Sequence, residues 1–446
     1  TTPSNFSENF GTIIFRDFLG KVIDKNENPI ENVTITIGDT STTTDSNGVF
    51  ILNNSTVNSR FVYVKAEKSG YIHGSRAVVP SHGTNIVTIM LLEENIVGTT
   101  MSGSTETISL SDGASVTLNG EYINENGEPY NGAVNVIMHN LDATDENVNL
   151  LMPGMLYAEN SNGEERMLQT FGMLAVELRG TNGEDLNLAE GSTAEIKIPL
   201  AESLVANAPS TIPLWYFDEI NGYWKEEGQA NLVGNQYIGN VSHFSFWNCD
   251  IPARAINLCV IVKDTDGNPI SNTLVNITSL VYGTRGGVTN ENGEVCGLVP
   301  SEEVLELSVN NPLDICGEPS MLVEVIGPFN SDSSINTTVI TPPEIITGVF
   351  NDCNGSPVNN GYIRINYGDD TIIGNLNNGN FSINLTRCIS VNTFTIEGID
   401  IENYQRSGEI SYTFSTPATD VGVISSCNTT SEFVQYTIDG GSSQDL

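Results

Sequence analysis

The stretch Gly20-Lys21-Val22-Ile23-Asp24-Lys25-Asn26-Glu27-Asn28-Pro29-Ile30 decides the fold, because related stretches return three more times. These are GEYINENGEPY (120–130), VIVKDTDGNPI (260–270) and GVFNDCNGSPV (348–358). Each has a strand-forming run, an Asp or Asn, a polar turn, a Pro and a second apolar run. An Asx side chain bonds the backbone that follows it and starts a turn, while Pro enters the next strand where no ladder N–H is needed. Four copies of this bend predict hairpins in tandem β-modules.

The residues between the copies have the period of strands. Residues 33–37 (VTITI) and 61–67 (FVYVKAE) alternate apolar and polar side chains, and a second polar turn at 44–48 (TDSNG) separates further short runs. Alternation with period two predicts strands that bury one face. About seven short strands in one module, with no helical period, predict a small β-sandwich.

The order of these motifs also carries a resemblance. The pattern G-x-V-x-D…P-I-x-x-V-x-I-x-I, then T-D-x-x-G-x-F, then V-x-V-x-A-x-K-x-G-Y, over residues 11–94, resembles the carboxypeptidase regulatory-like domain, a transthyretin-type sandwich. Modules beginning near residues 258 and 345 resemble it too, although the third module lacks the Gly-Tyr ending. The resemblance implies a fold and no particular ligand.

A second resemblance lies in the longer module between the first and third copies. Its series AEIKIPL…IPLWYFDEINGYWKEEG…VSHFSFWNCD is similar to a module of bacterial surface proteins and to the extracellular region of the FAM171 and cartilage intermediate layer protein families. No catalytic role comes with this resemblance.

A chain of 446 residues is too long for one core and predicts roughly three or four domains. We expect an all-β protein, with tandem Ig-like or transthyretin-like (prealbumin-like) β-sandwich domains in an elongated multidomain chain. The predicted divisions are 1–94 with a polar N-terminal spacer, 95–252 for the larger Trp-rich domain, 253–343 and 344–430. Residues 95–110 are expected to be a linker, Pro342-Pro343 a boundary, and 431–446 an orphan strand or the start of a further domain.

Charge restricts the partners. The net charge of −38, from 55 acidic and 17 basic residues, opposes binding to nucleic acid and to anionic lipid. No apolar stretch approaches the roughly 20 residues that cross a bilayer. We therefore expect an exported protein outside the cell or on its surface. An outer-membrane lipoprotein, anchored through a cysteine upstream of Thr1, is the variant of this prediction that the sequence leaves open.

All seven cysteines lie in the second half of the chain, and none has a zinc-finger spacing. Their dispersed positions favour an oxidising compartment, and the odd number leaves at least one unpaired. We predict a disulfide between Cys353 and Cys388 in the last module. The seven are Cys249, Cys259, Cys296, Cys316, Cys353, Cys388 and Cys427.

Trp215, Trp224 and Trp247 are the candidate ligand-binding residues, because aromatic side chains are dense around them. Alternate side chains on a strand point to opposite faces, so an exposed aromatic platform for a glycan or a protein is one interpretation. The alternative is that most of these rings fill the domain core and the rest cover an interface with a neighbouring module.

We predict no catalytic residues, no resident metal and no cofactor. The four histidines are isolated in sequence, and the chain contains no HExxH, P-loop or G-x-S-x-G motif. Asp264 and Asp266 resemble part of a calcium loop. Turn formation alone explains them, and calcium shared between acidic loops at module junctions is the alternative. Lys21 and Lys263 are the candidates for a Lys–Asn isopeptide bond. The predicted function is therefore non-catalytic: adhesion, ligand binding or spacing of domains, with the carbohydrate-binding accessory region of a larger polysaccharide-acting enzyme as the alternative.

Overall fold

The computed structural model describes residues 5–310, 322–340, 344–368, 370–385 and 391–428, and the backbone at 435–436 and 444–445. Strands make up 59% of the chain and helices 4%, which confirms the all-β class. In the part of the chain that the structure describes, the short helical segments are the α-helix Val148–Leu151 and the 3₁₀ helices Phe6–Phe10, Glu202–Asn207 and Ser426–Asn428. Among the described residues, no helix is long and apolar enough to cross a membrane.

The first unit is a sandwich of two sheets. Strand β1 lies at the centre of the sheet β4-β1-β7, and the facing sheet has the order β3-β2-β5-β6. β1 runs antiparallel to β4 and parallel to β7. The inward side chains of both sheets, among them Phe18, Ile35 and Val64, form one buried cluster. The strands are Ile13–Ile23 (β1), Thr34–Ile37 (β2), Thr40–Thr43 (β3), Val49–Asn58 (β4), Val62–Glu67 (β5), Gly74–Val78 (β6) and Thr84–Met90 (β7).

The second unit is one large 14-stranded sheet with buried clusters on both faces. Its strands β8 and β9 occupy most of residues 95–110, so the prediction of a linker there is wrong. The strands are Ile96–Met101 (β8), Glu106–Ser109 (β9), Ser115–Leu118 (β10), Tyr122–Asn124 (β11), Pro129–Tyr130 (β12), Ala133–Leu141 (β13), Tyr157–Glu159 (β14), Glu165–Gly180 (β15), Asp185–Leu188 (β16), Ala194–Pro199 (β17), Thr211–Asp218 (β18), Tyr223–Val233 (β19), Gln236–Val241 (β20) and Phe246–Ala253 (β21).

The third unit repeats the strand order of the first. Its sheets are β25-β22-β28 and β24-β23-β26-β27, and the first strand is again parallel to the last. The strands are Ala255–Lys263 (β22), Leu274–Ser279 (β23), Gly283–Val288 (β24), Glu294–Pro300 (β25), Leu305–Asn310 (β26), Leu322–Ile326 (β27) and Ser333–Thr338 (β28).

The fourth unit has the same arrangement with one edge strand divided into two pieces. Its sheets are β32-β29-β36 and β31-β30-β33-β34, and β35 also pairs with β33. The strands are Glu344–Asn351 (β29), Gly361–Tyr367 (β30), Asp370–Asn375 (β31), Asn380–Leu385 (β32), Thr393–Asp400 (β33), Gln405–Arg406 (β34), Ile410–Thr413 (β35) and Ala418–Ser425 (β36). Pro342 and Pro343 lie outside the described residues. Beyond this unit, Gln435–Tyr436 (β37) pairs with Gln444–Asp445 (β38), and the rest of 431–446 is outside the described residues.

The repeated bend has the same hydrogen bonds in all four copies. Asp24, Asn124, Asp264 and Asp352 each accept the backbone N–H groups two and four residues further on, at 2.7–3.0 Å. In the three sandwiches the Pro then makes a single bridge, as in Ile23↔Pro29, before the chain crosses to the other sheet. In these units the two arms of the predicted hairpin are therefore paired at a single residue pair.

A buried threonine closes the sandwich beside the second turn. The Thr44 hydroxyl donates to the Ile30 carbonyl (2.7 Å) and accepts from the Val33 N–H (2.9 Å). Thr289 does the same in the third unit, and its side chain is fully buried. We call this arrangement the threonine clasp. The fourth unit has the buried, apolar Leu376 at the corresponding place.

The first unit contacts each of the other three. Phe6, Phe10 and Phe61 form an aromatic cluster with Tyr157 and Tyr223 of the second unit. The Thr84 N–H donates to Glu291 of the third unit, and Asp45 accepts from the Tyr362 hydroxyl of the fourth. A tandem order of sandwiches does not by itself predict these contacts, which leave two cavities between units.

Candidate functional site

The three tryptophans do not form an exposed platform, so their prediction as ligand-binding residues is wrong. Trp215, Trp224 and Trp247 each have 0% of their surface exposed. Trp215 and Trp247 sit on neighbouring strands and face opposite sides of the large sheet, and both sides are covered. The first unit supplies part of the cover, because Ile72 and Leu92 join the cluster around Trp215. The rings therefore belong to the core and to an interface between units.

The residues considered for calcium act in the turn. The two Asp264 carboxylate oxygens accept from the N–H groups of Asp266 and Asn268 and from the Asn268 amide, at 2.8–2.9 Å. These bonds lower the pKa of Asp264. The same bend forms with Asn124 in place of an acid, so turn formation accounts for Asp264. Calcium at the module junctions stays a prediction.

The lysines proposed for an isopeptide bond lie in unsuitable surroundings. Such a bond needs a buried lysine beside an asparagine and a carboxylic acid. Lys21 is exposed and Lys263 is only half-buried. Neither site has the enclosure that this reaction requires.

The disulfide prediction in the last module is wrong. Cys353 is bonded to Cys427, with an S–S distance of 1.97 Å, and a sulfur atom joined to Cys427 is not available to Cys388. Cys388 lies outside the described residues. The two half-cystines were hard to match in sequence because 74 positions separate them.

The third unit has a second disulfide, between Cys259 and Cys296, which face each other on β22 and β25. With Glu294 these are the described residues whose side chains lie close enough to hold a metal ion, but the disulfide removes both thiolates. Cys249 is free and buried, and the odd number of cysteines leaves at least one of the seven unpaired.

A cleft of about 550 Å³ lies between the first and second units, and we call it the His73 cleft. The Tyr63 hydroxyl donates to the Glu219 carbonyl and lies 2.9 Å from His73 Nε2. His73 Nε2 is also 3.0 Å from the Ser75 hydroxyl, and His73 Nδ1 is 3.7 Å from the Glu219 carboxylate. Ser75, His73 and Glu219 thus follow each other in the order of a catalytic triad.

Burial shapes the protonation of this cleft. It lowers the pKa of His73 to about 4 and, together with the neighbouring Glu177 carboxylate, raises the pKa of Glu219 to about 7. Arg179 pairs with Glu177, Glu94 and Asp185 at the edge of the cleft. At neutral pH the imidazole is therefore uncharged.

The triad order does not make a nucleophile. Because the Tyr63 hydroxyl donates to the Glu219 carbonyl, its oxygen is left to accept from His73 Nε2, and this geometry favours the tautomer with the proton on that nitrogen. A general base needs the lone pair of that nitrogen to activate Ser75. The Ser75 side chain is 2% exposed and also accepts from the Gly154 N–H. The network joins two units rather than presenting a reactive hydroxyl to a substrate.

A second cavity, of about 390 Å³, lies where the first three units meet, and we call it the junction cavity. Strands β6 and β7 form one wall, residues 149–156 of the second unit form another, and strands β22–β25 form the third. Its volume falls within the range of about 300–1,000 Å³ that is common for small-molecule sites.

Two arginines line the junction cavity. Arg76 Nη1 donates to the Asn149 carbonyl, and Arg285 donates through Nη1 and Nη2 to the carbonyls of Tyr282 and Leu168. Among the described residues, no carboxylate lies within 4 Å of either guanidinium. Burial lowers the pKa of each to about 10, which leaves both charged at neutral pH.

Sequence reasoning missed both sites. Arg76 lies in GSRAV and Arg285 in GTRGG, and neither segment matches a ligand-binding motif. The sites exist because separate units meet, so residues about 70 to 210 positions apart line one space. The one usable signal is the scarcity of basic residues in the sequence, 17 against 55 acidic ones, which makes each arginine on a strand unusual.

Comparisons with known proteins identify no family. No family model and no curated protein matches the chain. Solved structures with a partial likeness include the shaft pilin SpaA of Lactobacillus rhamnosus GG, with a TM-score of 0.20, 10% identity, and coverage of 39% of this chain and 98% of the pilin. The Bacillus anthracis TIE protein has a TM-score of 0.18 and 8% identity, and the match covers 92% of this chain and 50% of the TIE protein chain. A streptococcal ancillary pilin has a TM-score of 0.17 and 12% identity, and the match covers 50% of this chain and 96% of the pilin.

Proposed function

We propose that this chain is a non-catalytic, exported protein that works outside the cell or on its surface, in adhesion, ligand binding or the spacing of domains. The two disulfides carry the proposal. Disulfides persist in oxidising compartments and are rare in the cytosol. Here they join Cys259 to Cys296 and Cys353 to Cys427 in two different units.

Differential thiol labelling in the source cells tests the compartment. Cells are quenched in acid, the protein is denatured, free thiols receive one alkylating label, and cysteines released by later reduction receive a second. We expect the second label on Cys259, Cys296, Cys353 and Cys427 and the first label on Cys249. Cys249 is the internal control, because it is free in the same molecule. The first label on the other four would place the protein in a reducing compartment and contradict the proposal.

The absence of catalysis is tested at the triad-like group. A fluorophosphonate probe labels serines that a neighbouring base activates. Because the geometry favours the His73 tautomer with its proton on Nε2 and because Ser75 is buried, we expect no labelling of Ser75, and we expect Ser75→Ala to leave the labelling pattern of the protein unchanged. Labelling of Ser75 that disappears in His73→Gln would show an activated nucleophile and overturn this part of the proposal.

The finer assignments are part of the same proposal. The shared strand order of the first, third and fourth units supports the carboxypeptidase regulatory-like, transthyretin-like type for all three. The separate buried clusters support the division at 1–94, 95–252, 253–343 and 344–430. Lipid anchoring has no observation in its favour here. The carbohydrate-binding alternative rested on exposed tryptophans, and their burial removes that support.

A further inference from the structure

We propose that the junction cavity binds an amphiphilic carboxylate, an aliphatic chain with one carboxylate head, with the head on Arg76 and the chain against the apolar walls. The inference does not depend on export or on adhesion. It assigns a ligand class to a space that the repeated sandwich order does not explain.

The free edge of Arg76 supplies the recognition. Its Nη1 is held by the Asn149 carbonyl, while Nε and Nη2 make no hydrogen bond with the described residues. Those two N–H groups form one edge of the guanidinium and point in parallel, which matches the two oxygens of a carboxylate. The Asn149 bond restrains the guanidinium at Nη1 before any ligand arrives and leaves the opposite edge for a ligand. Arg76 is thus a preorganised carboxylate fork.

The charge balance of the cavity favours an anion. A guanidinium that is partly removed from water and lacks a counter-charge is costly. Arg76 and Arg285 are both in this position, although the chain has 55 acidic residues. The carboxyl group that acts electrostatically on Arg285 is that of Asp250. Burial raises the pKa of Asp250 well above its usual range. An incoming carboxylate would supply the missing negative charge.

The walls select the rest of the ligand. Ile86 is 39% exposed, and Leu150, Leu156 and Leu274 are half-buried, although all four line a space between packed units. Apolar side chains left partly in water gain when an apolar group covers them. A small, compact anion such as acetate would leave these side chains uncovered. An aliphatic chain attached to the carboxylate covers them.

Titration calorimetry on the full chain tests the ligand class without any substitution. We expect saturable binding of octanoate, with octanol and acetate each binding roughly tenfold more weakly or worse, because one lacks the charge-assisted bonds and the other the apolar chain. Octanol that binds as tightly as octanoate would show an apolar pocket with no role for the fork. Failure of octanoate to bind would overturn the proposal outright.

Substitutions then locate the head group. Arg76→Met should weaken octanoate by roughly 10- to 100-fold and leave octanol unchanged, as expected for the loss of a bidentate charged pair. Arg76→Lys keeps the charge without the fork and should fall between. Arg166→Met removes an arginine outside the cavity and is the matched control. Equal octanoate binding by the wild type and both Arg76 variants would overturn the assignment, and the wild-type comparison of octanoate with octanol stands even where a variant fails to fold.

Discussion

Removing the Thr289 hydroxyl should lower the opening free energy of the third unit and leave that of the first unit unchanged, because the first unit has its own threonine clasp at Thr44. In Thr289→Val the side chain keeps its shape, but the Ile270 carbonyl and the Thr273 N–H lose a partner at 2.8 and 3.0 Å. Each buried backbone group left without a partner costs about 1–3 kcal/mol. We expect a loss of about 2–4 kcal/mol in the opening free energy of the unit, since some rehydration offsets the sum.

Amide hydrogen exchange followed by mass spectrometry measures this unit by unit. A loss of about 2–4 kcal/mol corresponds to exchange roughly 30- to 900-fold faster in peptides from β23 and β25. Thr289→Ser keeps the hydroxyl and is the matched control, and peptides around Thr44 report the unaltered clasp in the same molecule. Wild-type exchange in Thr289→Val, or equally fast exchange in Thr289→Ser, would refute the assignment of the stability to the hydroxyl.

Three further predictions concern the core, the disulfide and the His73 cleft. Trp247→Ala should lower the unfolding free energy by about 3–5 kcal/mol, as for other large buried rings, and denaturant unfolding should show this. Replacing Cys259 and Cys296 by Ala opens a link across 37 positions, for which chain entropy gives a loss of about 4 kcal/mol, measurable by exchange in the third unit; an unchanged rate would contradict it. His73 has its pKa lowered to about 4, so its contribution is present above pH 6.5 and is lost as the pH falls towards 4. The stability gap between wild type and His73→Gln should shrink by about 1.4 kcal/mol per pH unit over that range, and a constant gap would contradict the burial of a neutral imidazole.

The local features of the fold were predictable because short-range chemistry determines them. The Asx-to-Pro bend needs only neighbouring residues, so Asp24 and its three counterparts were found from the sequence, and the strands between them follow from alternation. In the three sandwiches the two arms of the predicted hairpin pair at a single bridge. Alternation places side chains on two faces but does not say that the chain returns in the other sheet after a single bridge.

The parts that failed depend on what covers a surface. The register between β18 and β21 places Trp215 and Trp247 on opposite faces of the large sheet, but both faces are covered, one partly by the first unit. The alternation of side chains along a strand does not indicate whether another layer of the protein covers a given face of the sheet. The pairing of Cys353 had the same difficulty, because Cys388 and Cys427 are both reachable by a folded module and only the three-dimensional path distinguishes them.

The sites were out of reach for a further reason. Tyr63 bonds to Glu219 across 156 positions, and Arg76 shares a cavity with Arg285. No motif links residues whose proximity arises when independently folded units dock. The scarcity of arginine was a hint that such residues matter, but it did not identify their partners.

The parallel pairing of the first and last strands has a mechanical consequence. β1 and β7 share seven paired positions, and the corresponding strands of the third and fourth units share six each. The chain enters such a unit at one end of this ladder and leaves at the other. A pulling force on the two ends of the unit therefore shears the two strands along their length. All the hydrogen bonds between them carry the force together and do not break one after another. A unit with parallel first and last strands therefore resists stretching far better than a hairpin whose two strands are pulled apart from their free ends.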